Sequence, residues 1–218
     1  MALIFDLVNF QALVNSIKIK MENYGLIILA AGGSLRLGTP KQLLQYKSQS
    51  LLKKIVRIAV EVEPNNSLVV IGAQKESMQK ELAQTGIAIA VNNNWQQGMS
   101  SSIKIGLTQL LKSNAALGGC IFSVCDQPFI TAGLLQNLIK KHQQSSKGII
   151  AAAYAGIFGT PVLLDKKYFE DLMHLQNDEG AKKILHKYNH DLATIPFEGG
   201  EVDIDTKEDY KKLIDVDR

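Results

Sequence analysis

The sequence predicts an α/β protein of the Rossmann-like, three-layer type: a mostly parallel mixed sheet with helices on both faces. Two observations predict this fold. Short apolar runs alternate along the chain with segments whose apolar residues recur at helical spacing, and the first run ends in a glycine-rich turn. Strand–helix–strand units pair their strands in parallel, and ligands of such sheets bind at the carboxyl ends of the strands. We therefore expect a site in the loops that follow strands.

The first half of the chain alternates regularly between the two patterns. Each predicted strand is a short apolar run, and the four runs are 24–31, 67–71, 87–91 and 119–125. The helix predicted after the first run carries one apolar face, formed by Leu51, Leu52, Ile55, Val56, Ala59 and Val60. Similar faces predict helices on either side of the fourth run, at Ile103, Leu107, Leu110 and Leu111 and at Leu134, Leu135, Leu138 and Ile139.

The second half of the chain is less regular. Strands are predicted at 148–154, 160–164 and 192–196. Helices are predicted near 166–173 and 181–188, and a last helix begins at Thr206. We expect one domain from residue 23 to residue 218, preceded by an extension of residues 1–22.

The extension has two interpretations. Its apolar residues recur at helical spacing, which predicts an additional amphipathic helix; alternatively, Met21 is the natural start and the preceding residues are extraneous. Asp6 comes early and no basic stretch precedes the apolar residues, which argues against a signal peptide.

Composition excludes several function classes. The 218 residues are 46% apolar and 21% charged, as expected for an ordinary globular domain. The net charge of +3 comes from scattered residues, so we expect no nucleic-acid partner. No apolar run reaches the ~20 residues of a membrane span. Cys120 and Cys125 lie an odd number of residues apart in one predicted strand and point to opposite faces, so no disulfide is expected and a reducing cytoplasm fits best.

The turn after the first strand has the chemistry of a polyphosphate site. Residues 29–42 read LAAGGSLRLGTPKQ. Small residues let the backbone approach phosphate oxygens and present N–H donors, and Arg36 and Lys41 add positive charge. The segment lacks the GK[ST] of a P-loop and the GxGxxG of a dinucleotide fold. A plain glycine-rich turn with two surface cations is the alternative that the residues alone leave open.

Two acidic segments are candidates for a metal site. Asp126 follows the buried strand 119–125, and Mg²⁺ is typically held by one or two carboxylates together with substrate phosphates. Asp126 could also simply cap a turn before Pro128. Thr206 and Asp209 form a broad capping box, next to Asp205. Asp203 is a weaker candidate, on the same side as Asp205 if the chain is extended there.

These motifs resemble those of the nucleotidyltransferase superfamily that includes the molybdenum cofactor cytidylyltransferases, molybdenum cofactor guanylyltransferases and methylerythritol phosphate cytidylyltransferases. The glycine-rich segment resembles (A/G)(A/G)GxSxR(M/L)GxxK, and residues 203–210 resemble (N/D)x(N/D)TPEDL. The resemblance implies that Arg36 and Lys41 hold the triphosphate and act in catalysis. It also implies that Asp126 and Asp205 hold Mg²⁺, and that the nucleotide lies on Ala30, Ala31, Gly32 and Gly33.

Within the superfamily, the sequence is most similar to the molybdenum cofactor cytidylyltransferase branch. Residues 92–103 match NxxWxxGMxxS(L/I), a segment that in this branch approaches the base and ribose, which implies nucleotide-binding roles for Gly98 and Ser102. The strings 126–128, 159–163 and 178–181 also agree with the branch. Thr160 stands where the branch usually has histidine, which weakens any assignment of the acceptor.

The resemblance implies a cytoplasmic, Mg²⁺-dependent enzyme that transfers CMP from CTP to the phosphate of molybdopterin and releases pyrophosphate. A client molybdoenzyme would then receive the product. Two alternatives stay open: the same chemistry on a sugar, alcohol or polyol phosphate, and a non-catalytic cofactor-binding accessory protein for a molybdenum hydroxylase. The choice of CTP over GTP rests on Ala30–Ala31, because the guanylyl branch usually has glycine at the second position.

Overall fold

A computed structural model describes residues 23–34, 36–63 and 65–216. The predicted extension of residues 1–22 lies outside the described residues. Among the described residues, no helix is both long enough and apolar enough to cross a membrane.

The described chain is built on a seven-stranded mixed sheet, with strand order β5-β4-β1-β6-β8-β7-β9. Four of these strands form a parallel half and are β1 (Asn23–Ala30), β4 (Ser67–Ile71), β5 (Ala88–Val91) and β6 (Leu117–Val124). The other three are β7 (Ile149–Tyr154), β8 (Ile157–Asp165) and β9 (Leu192–Pro196). β8 runs antiparallel to both β6 and β7, and β9 is parallel to β7. The predicted mostly parallel mixed sheet is confirmed.

Helices cover both faces of the sheet, as predicted. They are α1 (Leu51–Val62), α2 (Lys75–Leu82), α3 (Met99–Ser113), α4 (Ala132–Gln144), α5 (Phe169–Met173), α6 (Ala181–Lys187) and α7 (Lys207–Val216). The apolar faces of α1, α2 and α4 pack on one side of the sheet, and those of α3, α5 and α6 on the other. Each face of the sheet therefore has its own hydrophobic core, the first beneath α1, α2 and α4 and the second beneath α3, α5 and α6. Alternate residues of β1 pack into the two cores: Leu26 and Ile28 into the first, and Ile27 into the second.

Three helix starts follow from capping residues. The hydroxyls of Ser50 and Thr131 accept hydrogen bonds from the backbone N–H groups of the first turns of α1 and α4. At α7, the Thr206 hydroxyl accepts from the Asp209 N–H at 3.2 Å, and the Asp209 carboxylate accepts from the Thr206 N–H at 2.9 Å. The predicted capping box is therefore present.

Two hairpins are absent from the sequence-based prediction. β7 and β8 are joined through Ala155 and Gly156, both with positive φ, and this tight turn places β8 antiparallel between β6 and β7. The short strands β2 (Gln45–Tyr46) and β3 (Gln49–Ser50) form a second hairpin. Tyr46 on this hairpin packs with Ile204 and Leu213, so α7 is fastened beside the turn that follows β1.

The two cysteines are unpaired and lie in opposite cores, Cys125 in the first and Cys120 in the second. The predicted opposite directions of the two side chains are confirmed. Burial raises the pKa of both thiols well above the ordinary range.

Candidate functional site

A cavity of about 350 Å³ lies at the carboxyl ends of the parallel strands. The segment at the end of β1 lines one side of it, the segment that leads into α3 lines another, and the end of β6 forms the floor. The lining residues are Leu29, Ala30, Ala31, Gly32, Lys41, Gln42, Trp95, Gln96, Gly98, Met99, Ser102, Val124, Cys125, Asp126 and Asp178. This is the edge at which doubly wound sheets bind ligands.

The turn after β1 is held from beneath by a buried glutamine. Gln42 is only 1% exposed, and its Nε2 donates to the carbonyl oxygens of Ala30 at 3.0 Å and Gly32 at 2.8 Å. Its Oε1 accepts a hydrogen bond from the Ser34 hydroxyl, and that hydroxyl in turn accepts from the Lys41 N–H at 3.0 Å. The turn is therefore tied at both ends to one side chain.

Lys41 lies at the centre of a cluster of charges. Its Nζ forms an ion pair with Asp126, lies 2.9 Å from Asp205 Oδ1, and lies 3.9 Å from Asp203 Oδ1. Its side chain is 16% exposed. The guanidinium of Arg36, which is largely exposed, donates to the other oxygen of Asp205. Both cations of the turn thus converge on the acidic residues.

The charges of the cluster shift one another's pKa values. Burial alone would lower the pKa of the Lys41 ammonium, but the charges and hydrogen bonds of Asp126 and Asp205 outweigh burial and raise it. For Asp205, partial burial is outweighed by Lys41 and Arg36, and the net pKa lies below its ordinary value. Desolvation and the neighbouring charge of Asp126 raise the pKa of Asp203.

The three carboxylates come from two distant segments of the chain. Asp126 follows β6, and the extended segment 203–205 is fastened to it because the Ile204 N–H donates to the Asp126 carbonyl at 3.2 Å. Ile204 is fully buried, so Asp203 and Asp205 face the other way, toward Lys41.

The donor set suits a hard divalent cation. Each of these three acidic side chains offers one oxygen that lies within 4.8 Å of the others. Carboxylate oxygens in this number, with room for phosphate and water, fit Mg²⁺ or Mn²⁺ better than a softer metal.

The side of the cavity that is formed by the segment leading into α3 depends on Gly98. This residue directly precedes α3 with a φ of 93°, and a side chain there would overlap the backbone of Asn177. The Ser100 N–H donates to the Asn177 carbonyl at 3.1 Å, which holds the 177–178 turn against the start of α3. Asp178 and Ser102 consequently lie on the cavity wall.

Most of the residues singled out from the sequence meet at this place. Those that line the cavity are Ala30, Ala31, Gly32, Lys41, Gly98, Ser102 and Asp126. Arg36 and Asp205 lie beside it and contact each other, with Lys41 connecting them to the cavity. Gly33 is described by the structure, but it does not line the cavity. The roles assigned to all of them stay predictions.

Three residues with clear positions in the site were not proposed from the sequence. Gln42 and Asn92 are buried amides whose partners are mostly backbone groups or serines. Asn92 is the first residue of the matched segment 92–103, which could have marked it, whereas no spacing rule finds the contacts of Gln42. Asp178 lies in the string 178–181, and the agreement of this string with the cytidylyltransferase branch could have marked it as a site residue.

Curated relatives cover the chain to different extents. It is 26% identical over 199 residues to nicotine blue oxidoreductase of Paenarthrobacter nicotinovorans, which covers 86% of this chain and 95% of that protein. It is 24% identical over 192 residues to molybdenum cofactor cytidylyltransferase of Escherichia coli, covering 87% and 95%. It is 30% identical over 128 residues to the bifunctional protein GlmU of Prochlorococcus marinus, but the match covers 58% of this chain and only 28% of GlmU.

Solved structures share the whole fold. Rv0371c of Mycobacterium tuberculosis superposes with a TM-score of 0.79 at 25% identity, covering 89% of this chain and 98% of that one. A second structure of Rv0371c, described as a complex with manganese, superposes with a TM-score of 0.74 at 23% identity, covering 88% and 98%.

Residues 26–192 match the family described as the MobA-like NTP transferase domain. This match spans most of the chain, and it includes most of β1, the turn that follows it, α3 and the end of β6. The chain therefore belongs to the MobA-like NTP transferase family.

Proposed function

We propose that this protein transfers CMP from CTP to the phosphate of molybdopterin. A phosphate oxygen of the acceptor attacks the α-phosphorus of CTP, the bond from that phosphorus to the β-phosphate oxygen breaks, and pyrophosphate leaves. One observation carries the proposal: the cations of the turn after β1 and the carboxylates of Asp126 and Asp205, distant in sequence, converge beside one cavity at the strand ends.

The roles of the charged residues follow from their positions. Arg36 and Lys41 would hold the triphosphate and stabilise the negative charge that develops as pyrophosphate departs. Asp126 and Asp205 would hold Mg²⁺, which supplies Lewis-acid stabilisation of the phosphate oxygens when bound. The structure described as a manganese complex of Rv0371c supports a divalent cation in this fold. No side-chain nucleophile is required, because the acceptor brings its own oxygen.

The nucleoside would occupy the rest of the cavity. Ala30, Ala31 and Gly32 leave space for the base and for phosphates close to the backbone, with Gly33 next to them in the turn. Gly98 and Ser102 would contact the base or ribose from the opposite wall. The pair Ala30–Ala31 and the relative from Escherichia coli, a molybdenum cofactor cytidylyltransferase, support CTP.

A second candidate keeps the reaction and changes the acceptor to a sugar, alcohol or polyol phosphate. It is favoured by Thr160, which stands where the cytidylyltransferase branch usually has histidine. Its hydroxyl donates to Gln127 Oε1 at 3.3 Å, and Gln127 Nε2 donates to the Gly200 carbonyl at 2.8 Å. At the position of the usual histidine, the contact with Gln127 is therefore made by a hydroxyl group.

The deciding experiment measures pyrophosphate release with CTP or GTP, with and without molybdopterin, in Mg²⁺. We expect release with CTP only when molybdopterin is present, and loss of release in Asp126→Asn but not in the exposed Asp215→Asn. Release with GTP alone, or only with sugar phosphates, would replace the proposed substrates. Tight molybdopterin binding without any turnover would indicate the non-catalytic accessory protein.

Nucleotide binding can be followed separately from turnover. The chain contains one tryptophan, Trp95, and it lines the cavity. We expect CTP with Mg²⁺ to change its fluorescence, with a smaller affinity in Arg36→Gln. A nucleotide that binds elsewhere would leave the emission unchanged.

A further inference from the structure

The amide of Asn92 has an orientation that its surroundings determine. The residue is fully buried, just after β5, and its Oδ1 accepts a hydrogen bond from the Asn94 N–H at 2.9 Å. A backbone N–H only donates, so the atom facing it must be the carbonyl oxygen. The amide nitrogen therefore points the opposite way, toward the start of α3.

That amide nitrogen donates to two serines in succession. Asn92 Nδ2 lies 2.8 Å from Ser101 Oγ and 2.9 Å from Ser102 Oγ. The Ser101 hydroxyl in turn donates a hydrogen bond to the Gly98 carbonyl at 2.8 Å. Ser101 is thus satisfied as both acceptor and donor within the start of the helix.

Ser102 is in a different position. Its oxygen accepts from Asn92, so its own proton must point elsewhere, and no described residue lies in hydrogen-bonding distance to accept that proton. The residue is 5% exposed and lines the cavity. The acceptor of this proton must therefore come from the cavity, from water in the free protein and from the nucleotide in the complex.

We infer that Asn92 is a positioning residue that makes Ser102 a hydrogen-bond donor toward the nucleotide. This rests on the proposed function, and it adds the polarity of the contact: the group recognised by Ser102 is an acceptor oxygen of the nucleoside, either on the base or on the ribose. Asn92 reaches the ligand only through Ser102.

The inference can be tested by reversing the polarity with almost no change in shape. In Asn92→Asp, one carboxylate oxygen still accepts from the Asn94 N–H, but the other can only accept. The hydroxyls of Ser101 and Ser102 both lie against this oxygen and would turn to donate to it, so Ser102 would present a lone pair to the cavity. Two acceptors would face each other where a donor and an acceptor met before.

We expect CTP affinity, measured by Trp95 fluorescence, to fall about tenfold or more in Asn92→Asp and to fall similarly in Ser102→Ala. In the Ser102→Ala background, Asn92→Asp should add less than about twofold, because residues that act through one contact are not additive. Ser101→Ala is the matched control, with a change below about twofold. Independent, multiplying losses in the double variant would overturn the inference.

A comparison of nucleotide ligands shows whether the acceptor oxygen belongs to the base or to the ribose. If it lies on the base, Asn92→Asp should change the preference among CTP and GTP and affect 2′-deoxy-CTP as strongly as CTP. If it is the ribose 2′-oxygen, 2′-deoxy-CTP should bind the wild type weakly and lose nothing further in the variant. A third pattern, equal losses for all nucleotides including the deoxy form with no dependence on Ser102, contradicts the role of Asn92.

Folding and function are separated by two further measurements. If Asn92→Asp does not fold, Asn92→Ala replaces it in the double-variant comparison with Ser102→Ala, because it leaves the Ser102 hydroxyl without a fixed orientation. The loss of CTP affinity in Asn92→Ala should be smaller, and it should also vanish in the Ser102→Ala background. Failure of the wild type to bind any nucleotide would refute the proposed function itself, whereas normal wild-type binding with additive losses would refute only the role of Asn92.

Discussion

Lys41 and Asp205 are 164 residues apart in the chain, yet the Lys41 ammonium lies 2.9 Å from Asp205 Oδ1. The ammonium also pairs with Asp126, so it contacts both carboxylates that are proposed to hold the metal. A lysine and a divalent cation therefore compete for the same oxygens, and a triphosphate that draws the ammonium away would favour metal binding.

The first prediction follows from this competition. In Lys41→Met, Mn²⁺ affinity without nucleotide should rise by about tenfold, because one positive charge next to the carboxylates is gone. CTP affinity should fall in the same variant. Free Mn²⁺ can be counted by electron paramagnetic resonance, with the exposed Lys140→Met as control. Unchanged or weaker Mn²⁺ binding in Lys41→Met would contradict the competition.

The second prediction concerns Gln42. Gln42→Glu replaces the donor that holds the Ala30 and Gly32 carbonyls with an acceptor of the same size. We expect the free energy of unfolding to fall by about 1–3 kcal/mol, the cost of leaving buried partners unpaired, and CTP to bind more weakly. Urea denaturation measures the first effect and Trp95 fluorescence the second. The exposed Gln45→Glu should change neither, and equal losses in both variants would remove the special role of Gln42.

The third prediction separates two glycines of the site. In Gly98→Ala the positive φ and the overlap with Asn177 should lower stability by at least about 1 kcal/mol. Gly32→Ala meets no atom within 4 Å and should leave stability nearly unchanged, while the added methyl group weakens nucleotide binding. Thermal unfolding and CTP titration of both variants check this. A stable Gly98→Ala would mean that the 177–178 turn can move away at little cost.

The fourth prediction is a pH dependence away from the site. Asp191 accepts hydrogen bonds from the Tyr168 hydroxyl and from the Gly148 N–H, and it pairs with Lys167 at 2.8 Å. Burial would raise the pKa of Asp191, but these partners outweigh it and lower the pKa. Its contribution to stability is therefore complete above the unfolded value of about 3.9 and is lost as the pH falls through the lower folded pKa.

Asp191→Asn should consequently lower the free energy of unfolding at pH 7 by about 1–3 kcal/mol. The deficit should stay constant down to about pH 5 and shrink below about pH 4. Urea denaturation at pH 7, 5 and 3 measures it, with the exposed Glu198→Gln as control. A deficit that grew on acidification would reverse the assigned sign.

Patterns that depend on one strand or one helix were predictable. The alternation of β1 between two cores and the opposite directions of Cys120 and Cys125 follow from the twofold period of a strand. The meeting of the turn after β1 with Asp126 follows from the common edge of parallel strands. The role of Asp205 could be predicted only from the resemblance, because the capping box of Thr206 and Asp209 already explains this part of the sequence without a metal site.

Features that depend on which strand is the neighbour were not predictable. The Ala155–Gly156 turn reverses β8, but neither residue is a strong hairpin signal in the sequence. Gln42 is a polar residue without a charge or a periodic partner, and its role appears only once the backbone groups that it contacts are in place. Asn92 begins the matched segment 92–103, but that match does not reveal its contacts with Ser101 and Ser102.

The attachment of residues 203–205 to the end of β6 has a consequence for biosynthesis. The Ile204 N–H and the buried Ile204 side chain hold Asp203 and Asp205 at the end of β6, which β8 and β7 separate from β9. The sheet can assemble from residues that leave the ribosome earlier, but the ring of charge around Lys41 closes only after this late segment has emerged. A nascent chain interrupted before residue 203 would therefore contain every strand of the sheet and yet lack Asp203 and Asp205, two of the three carboxylates around Lys41.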